Sequence, residues 1–292
     1  MKVCSRRRFL QTAVAAGFAA GALPLRAARG SATDLVTLGK SGVKVTRLAF
    51  GTGTFSGQVQ RDLGQDQFTR LVRHAYDRGI RFFETSETYG GMHEMLGIAL
   101  KGIPRDSYQL MSKVTTRQGV NPQEKIDALR KAANTDYFDV MLMHYQHVAD
   151  WPTGTTQWQD GILEAHSKKI VSGYGASVHG LPALRQFPGN HWLQIAMIRM
   201  NHRGVKMDAE DYNTGGLGSV SEVVTHAKQV RGDGMGIISM KLVGEGAFTN
   251  REDRKAAMRF AFNNAGVDCV TVGYKSTAEV DEAIENLNLA LA

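Results

Sequence analysis

From Leu48 to the C-terminus the chain alternates short apolar or β-branched runs with amphipathic helical stretches, and it does so eight times. The runs that read as strands begin near Leu48, Arg81, Tyr108, Asp139, Val171, Trp192, Met235 and Val267. Between them the period changes to that of a helix. Phe68, Leu71, Val72, Ala75 and Tyr76 share one helical face, as do Met258, Ala261, Phe262 and Ala265 ahead of Gly266. Asn121-Pro122 with Glu124 reads as an N-cap, a first-turn proline and a capping-box acid. A helix between two strands returns the chain to the edge it left, so the strands pair in parallel. Eight such units in about 260 residues predict an α/β protein, a (β/α)8 TIM barrel. A doubly wound open sheet is the alternative, but it normally carries a glycine-rich phosphate turn after its first strand. Here Phe50-Gly51-Thr52-Gly53-Thr54-Phe55 lacks a third glycine and an immediate helix. Upstream, residues 35–48 read as a β-hairpin turning at Lys40-Ser41-Gly42, placed to plug the bottom of the barrel.

The 292 residues are 42% hydrophobic and 22% charged with 2 Cys, which excludes a disordered chain and a disulfide scaffold. The net charge of +7 points to nucleic acid only until its location is considered. Lys2, Arg6, Arg7, Arg8, Arg26 and Arg29 stand in the first 30 residues with no acid among them; without those six, 29 basic residues face 28 acidic ones. The remainder is nearly neutral, so no nucleic-acid partner is expected. Ser5-Arg6-Arg7-Arg8-Phe9-Leu10, an apolar stretch from Ala13 to Leu23, Pro24 and the small residues from Ala27 to Ala32 resemble a bacterial twin-arginine export signal. An apolar run of about 11 residues is too short for a bilayer, which needs ~20, so no stable membrane anchor is expected. The expected division is 1–32 as signal peptide and 33–292 as barrel, with the twin-arginine translocase as a transient partner and a periplasmic or otherwise exported destination. Loss of the leader removes Cys4 and leaves Cys269 in a β-type run, read as a small buried hydrophobe.

In a barrel of this kind chemistry sits at the C-terminal ends of the strands. The second barrel strand ends in Phe82-Phe83-Glu84 and leads to Tyr89-Gly90; the third ends at Lys113, the fourth at His144, and the fifth reaches Ser177-Val178-His179. A phenol, an ammonium, a carboxylate and an imidazole therefore converge from neighbouring strands, a set suited to moving a proton to or from a substrate oxygen. A free phenol near pKa 10 is a slow donor, and a nearby ammonium makes it a better acid. Lys113 is placed to be that cation, Glu84 its partner, and His144 the group that orients the oxygen.

These residues resemble the aldo-keto reductases. Phe82-Phe83-Glu84 with Tyr89-Gly90, followed by Met95-Leu96-Gly97 and Ala99-Leu100, is similar to the family signature after its second strand, and Met-Ser-Lys113-Val and Val-Met-Leu-Met-His144 match its next two catalytic positions. The resemblance implies reversible hydride transfer between NAD(P)H and an aldehyde or ketone, with Tyr89 as general acid, Lys113 and Glu84 tuning it and His144 positioning the carbonyl. It further implies that Ser177 and Gln194 contact the nicotinamide, that Gly53 and Thr54 contact the cofactor from the first strand, and that Lys241 and Leu242 form the pyrophosphate-side loop. Gly273, Lys275, Ser276, Glu279 and Glu282 take the adenosine-phosphate segment, Lys275 and Ser276 favouring NADPH, with NADH also accommodated. The chain departs from the family in carrying Glu84 for Asp, Val178 for Asn and Met240 for the stacking aromatic. Two other functions are weighed beside this one: a metal-dependent barrel enzyme using Glu84, His144, His147 and His179 as ligands, and a non-catalytic barrel acting as a binding or sensor protein.

Overall fold

The computed structural model describes residues 30–211 and 216–292. Residues 1–29, the greater part of the signal peptide expected at 1–32, lie outside the described residues. Among the described residues there are ten strands. β1 (Leu35–Thr37) and β2 (Lys44–Thr46) form an antiparallel hairpin, with Leu35 opposite Thr46. The other eight, β3 (Leu48–Gly51), β4 (Phe82–Glu84), β5 (Gln109–Thr115), β6 (Phe138–Gln146), β7 (Val171–Val178), β8 (Ile195–Arg199), β9 (Gly236–Met240) and β10 (Cys269–Gly273), close into a barrel in chain order, β10 pairing with β3. All eight barrel pairings are parallel. The expected (β/α)8 TIM barrel with an N-terminal hairpin is the observed fold.

Helices cover the barrel for the reasons their sequences suggest. The helix Gly64–Asp77 buries Phe68, Leu71, Val72 and Ala75. The helix Pro122–Ala132 starts where Asn121 Oδ1 accepts from the backbone N–H of Gln123 at 2.9 Å, with proline in the first turn. The C-terminal helix Thr277–Leu291 is capped by Ser276, whose hydroxyl accepts from Glu279 N at 3.3 Å.

The strands' inner faces follow a period of two, and along each the character changes from bottom to top. Ala49, Phe82, Met111, Val140, Ile195, Ile238 and Cys269 fill the lower barrel together with Leu38, Val43 and Val45 from the hairpin. The hairpin thus closes the N-terminal end, tied on by Lys40 N–H donating to Gly234 O at 2.7 Å. Contact there is so close that a Cβ on Gly236 would lie 2.5 Å from the Leu38 carbonyl carbon, which explains a glycine at the start of β9. Two residues further up the same inner rows stand Gly51, Glu84, Lys113, Met197 and Thr271. The alternation that builds the core therefore also aims the polar residues at the mouth. Cys269 is a free, buried thiol in the lower barrel, as its sequence context suggests.

Candidate active site

Glu84 is the last residue of β4 and Lys113 lies near the upper end of β5, and both are buried. Lys113 Nζ donates to Glu84 Oε1 and to the Thr85 carbonyl, the latter at 3.0 Å, while Glu84 Oε2 accepts from Thr271 Oγ1 at 3.4 Å. The longer acid thus keeps contact with the lysine, its extra methylene letting one carboxylate bridge β5 and β10. Burial lowers the Lys113 pKa and Glu84 pulls it back up; a buried ammonium without that carboxylate would be costly.

Tyr89 sits in the loop after β4, half-buried, with Lys113 Nζ 4.8 Å from its ring centroid. The hydroxyl end fits against β3's exit, where a Cβ on Gly53 would lie 2.6 Å from Tyr89 Oη. Gly53 therefore acts by leaving room for the phenol. The phenol is not made more acidic as the sequence suggests. Desolvation, then the charges of Glu84 and Glu245, push its pKa well above 10, so the proton stays on at neutral pH.

His144, near the end of β6, stands edge-on to Tyr89, with ring centroids 5.7 Å apart. Its Nδ1 is 2.9 Å from Ser86 Oγ and 3.3 Å from Thr88 Oγ1. Burial, Lys113 and Lys241 hold its pKa well below 6.5, so the ring is neutral. Ser86 and Thr88, which orient it, carry no sequence signal beyond their place between Glu84 and Tyr89.

A small cavity of about 70 Å³ beside Tyr89 and Glu84 is walled by Met197, Met240, Lys241, Leu242 and Gly273. Thr54, Glu245 and Gly273 are shared with a groove of about 590 Å³ that Lys275, Glu279 and Glu282 also line. Most of the residues assigned to a cofactor therefore line these two adjacent cavities. Within them Lys241 pairs with Glu245, Lys275 Nζ lies 4.0 Å from Glu279, and Arg254 holds Glu282 with two hydrogen bonds of 2.6 and 2.9 Å. Ser276 caps its helix rather than lining the groove. Ser177 is buried, its Oγ accepting from Tyr145 N at 3.0 Å.

Gln194 is misplaced by the sequence reading. It precedes β8, so it lies at the closed end of the barrel, where its side chain accepts from Tyr174 N at 3.3 Å and its carbonyl from Gly236 N. The residue that β8 presents to the cavity is Met197. The metal alternative is not assembled either. Glu84 is taken by Lys113, the half-buried His147 has its Nδ1 3.1 Å from the Tyr145 carbonyl oxygen, and no three His, Cys, Asp or Glu side chains among the described residues come together to hold an ion.

Fold and mouth together define a parallel α/β-barrel protein with an acid–base cluster at the C-terminal ends of its strands. A profile of the Aldo/keto reductase family matches residues 47–287, and the chain belongs to that family. Over 121 residues it is 32% identical to L-galactose dehydrogenase of Arabidopsis thaliana, a stretch covering 38% of this chain and 38% of that protein. The chain's match thus spans well under two thirds of that relative. Among solved structures, an aldo-keto reductase from Pseudomonas aeruginosa superposes with a TM-score of 0.71 at 20% identity, covering 90% of this chain and 99% of the other. One from Klebsiella pneumoniae, in complex with NADPH, gives 0.65 at 15% identity over 90% and 91%. At these identities the likeness is one of fold.

Proposed function

We propose that the chain is an NAD(P)H-dependent reductase of aldehydes and ketones with Tyr89 as the proton donor. The observation that carries this reading is the convergence of Tyr89, Lys113, Glu84 and His144 beside a small cavity that shares Thr54, Glu245 and Gly273 with a larger groove. The residues fit the NAD(P)H cofactor. Gly273 leaves space that a Cβ would fill 2.5 Å from Thr54 Oγ1, and the two cavities carry cations at both stations where a phosphate needs one, Lys241 and Lys275. When bound, a reduced nicotinamide supplies the hydride that adds to the carbonyl carbon.

The chain's own residues supply position and the proton. His144, oriented by Ser86 and Thr88, donates from Nε2 to the carbonyl oxygen and fixes it beside the phenol. Tyr89 Oη transfers its proton to that oxygen as negative charge develops there. The phenolate so formed lies next to the Lys113 ammonium, which Glu84 keeps charged and in place. In this reading the raised pKa of the resting phenol keeps the acid loaded until reaction. Lys275, at the far end of the groove, favours NADPH, and Ser276, its hydroxyl used as the helix cap, adds nothing to that preference. The resemblance of residues 5–32 to a twin-arginine signal supports export of the folded protein, a route open to proteins that carry their cofactor with them.

The deciding experiment is a fluorescence titration of the purified protein with NADPH and with NADH. Saturable binding is expected, tighter for NADPH; no binding of either at millimolar concentration would sink the reductase reading. Binding without reduction of any carbonyl compound would instead establish a sensor or binding role.

A further inference from the structure

The turn that follows β3 is strained, and one side chain secures it. Phe55, Ser56 and Gly57 are consecutive left-handed residues, with φ 47, 54 and 86, and Ser56 N donates to Gly53 O at 3.0 Å while Gly57 N donates to Thr54 O at 3.1 Å. Left-handed residues other than glycine are costly, and such strain gathers where a ligand is held. Thr54 and Phe55 of this turn line the larger groove. The short helix Gln58–Arg61 comes next and ends in Arg61. Arg61 Nη1 donates to the Ser56 carbonyl at 2.7 Å and to the Gly90 carbonyl at 3.0 Å, while Nη2 donates to Gln58 Oε1 at 2.9 Å.

One nitrogen therefore joins two loops: the one after β3, which lines the groove, and the one after β4, which carries Tyr89. The junction is tight, since a Cβ on Gly57 would lie 2.8 Å from Arg61 Nη1 and 3.3 Å from Tyr89 Cβ. Ahead of Tyr89 the second loop is held by Glu87, whose Oε1 accepts from Thr115 N at 2.9 Å. Behind Tyr89 it is held by Arg61. A guanidinium nitrogen carries its hydrogens in a fixed plane, so the two carbonyls are kept at a set spacing that the rotating ammonium of a lysine does not impose. Both bonds lie near the surface, where a hydrogen bond exchanges with water at little net gain in stability. What they fix is the place of the phenol: Gly53, against which Tyr89 Oη rests, is the residue whose carbonyl begins the clamped turn.

We propose that Arg61 is a positioning residue for proton transfer, holding the Tyr89 hydroxyl against the loop after β3 and so at a fixed distance from a cofactor seated in the groove. Arg61 lines neither cavity and acts through the two loops it joins. This assignment rests on the reductase reading above. Loss of the clamp leaves the donor present but free to drift, and a misplacement of about 1 Å at a reacting group lowers the rate by up to about 10²-fold. Because Arg61 is half-buried, the space left by a truncated side chain is open to water and to a free guanidinium ion.

The test follows reduction of 4-nitrobenzaldehyde by the intact protein with NADPH, in the parent, Arg61→Ala and Arg61→Lys. Arg61→Ala is expected to lose about tenfold or more in kcat, with KM for the aldehyde and NADPH affinity within about twofold of the parent. Guanidinium ion below denaturing concentration should raise kcat of Arg61→Ala by about threefold or more and leave Tyr89→Phe unchanged. Arg61→Lys, which keeps the charge without the planar fork, should lie between the parent and Arg61→Ala; if Arg61→Ala lacks the circular dichroism of the parent, Arg61→Lys decides by the same split between kcat and affinity. A parent kcat in both variants, a loss matched by NADPH affinity, or a loss that guanidinium leaves unmoved would overturn the assignment while leaving the reductase reading intact. A parent that binds NADPH yet leaves the aldehyde unreduced would remove both.

Discussion

At the residue scale the proposed reaction depends on one phenol, Tyr89, whose place is set by a missing side chain at Gly53 and whose proton is retained by its surroundings. Tyr89→Phe removes the donor without altering volume, and is expected to lower carbonyl reduction by a factor of about 10² or more with NADPH affinity unchanged in a fluorescence titration. A variant reducing at the parent rate would assign the proton to another group. Gly53→Ala puts a methyl group where Tyr89 Oη now sits, and should lower kcat by about tenfold or more while the circular dichroism stays that of the parent. Because burial and two carboxylates raise the Tyr89 pKa, the difference absorbance at 295 nm between parent and Tyr89→Phe should show no tyrosinate from this residue below pH 10. Glu84, Lys113 and His144 were readable in the sequence because each stands at or near the end of a strand-like run as an unexpected polar group, and Tyr89 because it follows Glu84 in the loop after such a run. Gln194 misled because the polar residue there opens a strand rather than ending it. His179 and Arg199 were within reach of the same counting: Gly175-x-Ser177-x-His179 and Ile195-x-Met197-x-Arg199 each end an inner row in a base. Asp208, which meets Arg199 from the loop after β8, had no local signal, since its contacts are tertiary alone.

At the scale of elements, all eight barrel strands and the hairpin were readable because their side-chain period is imposed by burial. Helix starts were equally plain where an N-cap residue precedes proline, as at Asn121. The hairpin's contribution is measurable. Leu38 is fully buried in the lower barrel, so Leu38→Ala should cost about 2–5 kcal/mol in a urea unfolding experiment, and a cost near zero would mean the hairpin is peripheral. The loop that follows β8 carries a titrating group: burial raises Asp208 to about 7, against the pull of Arg199. An acid whose folded pKa is raised stabilises the fold fully below its unfolded value near 4, and that stabilisation is lost as pH rises through about 7. Relative to Asp208→Asn, the parent should therefore lose on the order of 2–4 kcal/mol of unfolding free energy between pH 4 and 7. Parallel stability curves for the two proteins would show that Asp208 does not titrate in this range.

At the scale of the whole molecule, the charge and the fold belong to different parts. Six cations in the first 30 residues account for nearly all of the net +7, and among the described residues no helix is long and apolar enough to cross a membrane. If the leader is an export signal read through its arginines, replacing Arg6 and Arg7 by lysine should leave the unprocessed chain in the cytoplasm of a bacterial host, measured by fractionation. Equal export of that variant would remove the twin-arginine reading and leave the barrel's chemistry untouched. Among the described residues, Leu38, Val43 and Val45 cork the barrel's lower end. In the proposed reaction, a proton that replaces the one given by Tyr89 therefore comes in by the mouth, the way the product goes out. Reloading the acid then waits on departure of the alcohol, and a turnover rate that slows with added viscogen would be the sign of that queue.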